Sequence, residues 1–305
     1  MSKKALVLPG GGANVDFQLG AMQLLDAAGR LRPDVISATS CGALLGLLYS
    51  FHNGDMKTVS RVIGGVNNNR VIYNGMMQFN TFFDNIGMWS QVVRDNKMQT
   101  ILDSTPLHKF IDSVFGNATQ DDLHIPIIVT VVNFTTGKVQ TFASRRHRFK
   151  IADVAKATSA IELLFADVQI GVEWYGDGGL LRNNPVCWII DEADEICLIG
   201  TSPDNYPPRP RPRNLIERVV RMLEMIMHSN EEASWDELKD YDDLRAIKPE
   251  LPEKKITSIY PPYSDDPKMY DALDFRKRGL KELGRRVASE VTGFTFDKPE
   301  VDTQA

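Results

Sequence analysis

Ala5-Leu-Val-Leu8 is a continuous apolar run, the pattern of a strand buried on both faces. Gly10-Gly-Gly12 breaks it. Val15, Leu19 and Met22 then recur at helical spacing, with Phe17, Ala21, Leu24 and Ala28 as a neighbouring row. Asp16, Gln18, Gln23 and Asp26 fall on the other faces. The order is strand, glycine loop, helix, and it repeats: Asp34–Ser37 predicts a strand, 38–42 a sharp turn and Ala43–Phe51 an apolar helix. Farther on, Ile125–Phe134 is rich in β-branched residues, Thr135–Lys138 is a turn and Val139–Phe142 a second strand, together a hairpin. Ile151–Ser159 predicts a helix and Glu195–Ile199 another buried strand. Strands alternating with helices specify an α/β fold, a mostly parallel sheet covered on both faces.

Between these elements the pattern weakens. Residues 64–100, rich in Asn, Gly and Met, predict irregular helices and loops over the sheet. Residues 203–213 hold five prolines and three arginines and predict a rigid, extended, exposed connector. Leu215–Asp240 follows as a long amphipathic helix carrying Val219, Met222, Leu223, Met225, Ile226 and Met227. The stretch 246–270 is again proline-rich. Leu273–Val291 predicts a charged last helix, with fraying from about Asp297. With no repeat and no change of composition class, the expectation is a catalytic core over residues 1–200, with a connector and C-terminal helices over 201–305 packed on the same domain.

Composition changes this picture little. The chain has 305 residues, 43% hydrophobic and 25% charged, enough to bury a sizeable core. A net charge of -5 argues against a general nucleic-acid binder, which needs a basic face. No apolar run approaches the roughly 20 residues of a spanning helix or the roughly 7–15 of a signal peptide. The expectation is therefore a cytoplasmic protein, working at most peripherally at membranes. Cys41, Cys187 and Cys197 have neither CxxC nor metal-ligand spacing, so they predict buried thiols and no metal site.

Three short motifs carry candidate chemistry. In Ala38-Thr-Ser40-Cys-Gly42, between a strand and a helix, small residues stand two before and two after a serine, as a nucleophile elbow demands. The same residues also fit an ordinary turn with a capping serine. Gly10-Gly-Gly12 exposes several backbone N–H groups in one direction, an anion nest that fits a phosphate, an oxyanion or a tight turn alone. The residues that follow, Ala13, Asn14 and Val15, complete neither a dinucleotide fingerprint nor a P-loop. In Tyr175-Gly-Asp177-Gly178-Gly179, an aspartate between glycines has little side-chain cover, so its carboxylate can approach another group closely. An Asp-Gly turn is the alternative. Arg145–Arg148 fits a solvated loop or a contact to lipid phosphate, and the methionines near 225 fit helix core or a contact to acyl chains.

Taken together, the glycine loop, the elbow one βα unit later and the distant Asp-Gly-Gly resemble the patatin-like phospholipase family. Thr105-Pro-Leu-His-Lys109, Ala157-Thr-Ser-Ala-Ile161 and Asp177–Val186 are similar to further segments of it. The resemblance spans about residues 4–200. It implies a three-layer α/β/α sandwich and a lipid acyl hydrolase without a cofactor, acting through an acyl-serine intermediate. By motif position Ser40 is the nucleophile and Asp177 the base. The N–H groups of Gly11, Gly12 and Cys41 form the oxyanion hole, and Gly10, Ala38, Gly42, Gly178 and Gly179 shape the turns. The implied partner is a lipid ester at a membrane surface. Two departures stand out: Asn14-Val15, where the family usually has a basic residue and then glycine, and Ala38 in place of a glycine. Acyl transfer with the same dyad, or a catalytically weak lipid-binding or scaffold role, are the rival readings. Of the five histidines, His52, His108, His124, His147 and His228, none fits a triad order.

Overall fold

The computed structural model describes residues 2–68, 100, 103–203, 211–212, 218, 221–230, 233, 241, 253–264 and 279–294. Five strands run parallel: β1 (Lys4–Leu8), β2 (Val35–Thr39), β3 (Ile127–Asn133), and, numbered by their place in the chain, β7 (Glu195–Ile199) and β8 (Lys255–Ile259). Strands β4 (Lys138–Ala143) and β6 (Glu173–Asp177) run antiparallel to β3, and β5 (Val168–Ile170) runs antiparallel to β6. All belong to one eight-stranded sheet, ordered β5-β6-β3-β2-β1-β7-β8, with β4 also on β3. The helices are α1 (Val15–Ala27), α2 (Ser40–Phe51), α3 (Met56–Asn68), α4 (Thr105–Phe115), α5 (Ile151–Thr158) and α6 (Leu280–Thr292). The fold is α/β, with a mostly parallel central sheet flanked by helices.

The apolar run in β1 has a direct structural reading. Its alternate residues feed two cores, as period-two side chains must. Leu6 and Leu8 pack with Phe17, Leu45 and Ile36 under the helices. Ala5 and Val7 pack with Val35, Ile196, Leu198 and Val186 on the other face. The C-terminal part of the chain adds to the same layers. Helix α6 lies across α1 so closely that a side chain on Gly284 would strike the Phe17 carbonyl. Arg285 then reaches Gln23 Oε1 with Nε at 3.0 Å and Nη2 at 2.7 Å.

Boundaries differ from the sequence reading in places that matter. The second helix starts at Ser40, three residues earlier than the apolar pattern predicts, because the turn collapses into one strained residue. Strand β8 lies inside the stretch that reads only as proline-rich. Lys255–Ile259 has weak alternation of its own and takes its conformation from pairing with β7. Most of the Pro-Arg connector, residues 69–99, most of the predicted 215–240 helix and the C-terminus from 295 lie outside the described residues. Among the described residues no helix is long and apolar enough to cross a membrane.

The topology at β3 positions the site. A strand has two edges, and β4 occupies one of them along residues 128–133. The other edge is shared: β2 pairs with residues 127–130 and β6 with residues 131–133. Because β2 runs parallel to β3 and β6 antiparallel, their C-terminal ends meet head-on. The residue after β2 is Ser40, and the last residue of β6 is Asp177.

Candidate active site

Ser40 has φ 54°, in the left-handed region that a residue with a β-carbon adopts only under constraint. Thr39 before it is extended, and α2 begins at Ser40 itself, so the chain turns from strand to helix within one residue. Gly42 is required by close approach: a β-carbon there would run into the Leu8 and Pro9 carbonyls. Ala38 stands in β2 opposite Leu8 on one side and Val129 on the other, fully buried. Its methyl group is part of the core, and its backbone is not left-handed, so an alanine fits.

The structure brings Ser40 and Asp177 together, both 3% exposed. Ser40 Oγ donates to Asp177 Oδ2 at 2.5 Å, and the Gly179 N–H donates to Oδ1 at 2.8 Å. With a direct contact that short, no histidine can stand between the two. Burial pushes the Asp177 carboxyl up from 3.8 to about 7, against the opposing hydrogen bonds from Ser40 and Gly179. The loop after Asp177 is stitched back to the elbow and the glycine loop. Ser37 Oγ donates to the Pro185 carbonyl at 2.7 Å, and Asn183 Nδ2 to the Gly10 carbonyl at 3.2 Å. Thr201 Oγ1 reaches the same Gly10 oxygen at 2.7 Å. Thr158, which holds the Ser40 N–H at 2.9 Å, and Asn183 lie in segments the resemblance picked out without assigning either a role, and Thr201 lies outside every motif.

Within the glycine loop the N–H groups are already engaged. Gly11 N–H donates to Cys41 Sγ at 3.1 Å, and the Gly12 and Gly42 amides also favour the thiolate. Burial outweighs them and pushes the thiol up to about 12, so Cys41 is neutral near pH 7 and a poor nucleophile. Its sulfur thus sits in the nest that the sequence reading assigns to an oxyanion.

Beside Ser40 opens a mostly apolar pocket. Leu44 and Leu48 of α2, Ile63 of α3, Phe110 of α4, and Ile161 and Phe165 after α5 form much of its wall. Its polar lining is confined to the end near Ser40, Gly12, Cys41 and Ser159. Leu48 lies eight residues along α2 from Ser40, about 12 Å at 1.5 Å per residue. Of two other sequence candidates, one falls elsewhere and one reaches the site only in part. The Arg145–Arg148 turn follows β4 at the end of the sheet where β3 begins, opposite to Ser40. Met227 reaches the site: its methyl lies 3.1 Å from where a Gly179 side chain would start, and Asn230 Nδ2 donates to the Leu180 carbonyl at 2.8 Å. Met222 and Met225 are exposed.

Known proteins resemble this chain at both levels. A phospholipase from Vibrio cholerae serotype O1, named cGAMP-activated phospholipase, is 32% identical over 165 residues, covering 50% of this chain and 43% of its own length. A Pseudomonas aeruginosa protein of the same name is 33% identical over 90 residues, 27% of each chain. The chain therefore matches less than half the length of either relative. The crystal structure of VipD from Legionella pneumophila superposes with a TM-score of 0.51 at 14% identity, covering 96% of this chain and 67% of that one. At that identity the likeness concerns the fold. The patatin-like phospholipase profile matches residues 6–187, a stretch that runs from β1 through the elbow and Asp177 to the loop that ties them together. By that match, this chain belongs to the patatin-like phospholipase family.

Proposed function

We propose that this chain hydrolyses a carboxylic ester of a lipid through an acyl-Ser40 intermediate. One observation carries the reading: the direct 2.5 Å hydrogen bond from Ser40 to Asp177, made at the polar end of an otherwise apolar pocket. Ser40 Oγ attacks the ester carbonyl carbon while its proton passes to Asp177 Oδ2, and the carbonyl π electrons move onto oxygen. Collapse of that tetrahedral species breaks the bond to the alcohol, which leaves with the proton held by Asp177. Water then enters, gives a proton to Asp177 and attacks the acyl-serine. Ser40 takes the proton back as the fatty acid departs.

A carboxylate of ordinary basicity is a weak base toward a hydroxyl. Burial that brings Asp177 to about 7 narrows the gap and places its pKa near working pH. The developing oxyanion takes the nest at Gly11, Gly12 and Cys41, with the Cys41 thiol turning aside to release the Gly11 N–H. The pocket walls favour a single acyl chain over a head group, because they offer almost no polar partner beyond Ser40.

The test is lipid-product mass spectrometry on a mixed membrane extract, with a fluorophosphonate probe for Ser40. Both arms are run with and without cGAMP, since the two relatives are named for activation by it, and with an added alcohol that would report acyl transfer. Free fatty acid released by wild type and not by Ser40→Ala supports the proposal. A wild-type protein that neither labels nor releases fatty acid in any arm overturns it.

A further inference from the structure

The two members of the dyad come from strands far apart in sequence, yet their backbones are held by one three-residue segment. Helix α5 ends at Thr158, whose Oγ1 accepts the Ser40 N–H at 2.9 Å and donates to the Thr130 carbonyl at 2.8 Å. Two residues on, the Ala160 carbonyl accepts the Asp177 N–H at 2.9 Å. Thr158 and Ala160 are buried, 0% and 2% exposed, so water does not compete for these bonds.

The sense of the Thr158 contacts is unambiguous. A hydroxyl has a single proton, and backbone carbonyls only accept, so that proton goes to Thr130 and a lone pair faces Ser40. Thr130 and the following Val131 are where β2 stops and β6 starts along β3. The same Thr130 carbonyl lies 2.5 Å from where a Gly178 side chain would begin. Thr158 is therefore tied to the nucleophile, to the strand that both partners share, and to the floor under the Asp177 loop. Ser40 needs such a tie, because its left-handed backbone persists only where the surroundings over-determine it.

We infer that Thr158 is a positioning residue for catalysis: its hydroxyl holds the strained Ser40 backbone so that Oγ points at Asp177, while Ala160 holds Asp177 in register. The inference rests on the dyad reading above. It also gives the pocket a route to the dyad. Ser159, between the two clamping residues, and Ile161, just beyond them, both line the pocket, so a chain seated there bears on the segment that aligns Ser40 and Asp177.

The experiment compares wild type, Thr158→Val and Thr158→Ser on a soluble p-nitrophenyl ester of medium chain length, together with fluorophosphonate labelling. Valine keeps the shape and removes the acceptor; serine restores it. Thr158→Val is expected to lower kcat about 100-fold with KM within about twofold, the penalty of a misaligned attacking atom, and Thr158→Ser to recover to within about threefold of wild type. The pH profile adds a readout that a merely structural role would not move. Ser40 lowers the Asp177 pKa through its hydrogen bond, so a slackened dyad shifts the rising limb of kcat/KM to higher pH. Cys41, the titratable neighbour coupled to Asp177 among the described residues, is pushed to about 12 and stays neutral across that range. If circular dichroism shows Thr158→Val unfolded, Thr158→Ala carries the test with the same thresholds. A wild-type kcat and unmoved pH limb in the acceptor-free variant would overturn the inference, as would serine failing to rescue. In either case a labelled wild type leaves the dyad reading intact, whereas an unlabelled wild type overturns both.

Discussion

Replacing Asp177 by asparagine separates the proposed catalytic role of the carboxylate from its structural one. The amide keeps the shape: its oxygen can accept from Gly179 and its nitrogen can donate to Ser40 Oγ, preserving both contacts made now. What disappears is the base and the buried charge. General-base assistance is worth about 10²–10⁴ in rate, so hydrolysis should fall about 100- to 10,000-fold, toward the level of Ser40→Ala. Stability should move the other way. Burial raises the Asp177 pKa from 3.8 to about 7, so the folded protein holds that proton to higher pH than the unfolded chain does. The corresponding stability is fully present below about pH 4 and is lost as pH rises through about 7. At 1.36 kcal/mol per pK unit, the ionised carboxylate costs the fold about 4 kcal/mol at alkaline pH. Asparagine does not bear that cost. Thermal melts of the two proteins at pH 5 and pH 8.5 provide the assay. Asp177→Asn is expected to melt several degrees above wild type at pH 8.5, and much closer to it at pH 5. An equal difference at both pH values would refute the picture of a carboxyl forced toward neutrality. A variant retaining more than a tenth of wild-type turnover would refute Asp177 as the base.

Other substitutions probe the surroundings of the dyad. Cys41→Ala frees the Gly11 N–H without touching the backbone, so turnover should stay within about threefold of wild type; a loss beyond about 100-fold, matched by thiol alkylation of the native protein, would require a role for the sulfur. Leu48→Trp fills the pocket about 12 Å from Ser40 and should lower kcat/KM on long-chain esters at least about tenfold, while short-chain esters are spared; equal losses on both would mean that the acyl chain does not run along α2. Gly284→Val forces α6 off the Phe17 carbonyl and should cost about 1–3 kcal/mol of stability, measured by denaturant melts, with kcat/KM per folded molecule unchanged. A proportional loss of kcat/KM would show that the C-terminal helix reaches the site.

How much was legible beforehand depends on how local each constraint is. The β1 run, the glycine loop, the elbow and the Asp-Gly-Gly turn can be read directly, because each is dictated by sterics within a few residues. Small residues flank Ser40 because the Leu8 and Pro9 carbonyls pass within contact distance of Gly42. The resemblance then paired Ser40 with Asp177 by motif order. Neither spacing nor periodicity could do so, since 137 residues separate them.

Tertiary structure decided the rest. The two residues meet because β2 and β6 divide one edge of β3 and run toward each other, a nonlocal pairing that leaves no trace in either segment's own pattern. Strand β8 was missed for a similar reason, since Lys255–Ile259 becomes a strand by pairing with β7. The nest read from Gly10-Gly-Gly12 has the geometry of an anion site, but only the fold shows the Cys41 sulfur resting against Gly11. Thr158 is the sharpest case. It lies in the Ala157–Ile161 segment that the resemblance picked out, yet as one small polar residue at the end of α5 its own pattern assigns it no role. Its function is created by where α5 stops: over the junction of three strands, with one hydroxyl proton committed to β3 and one lone pair left for the backbone of Ser40.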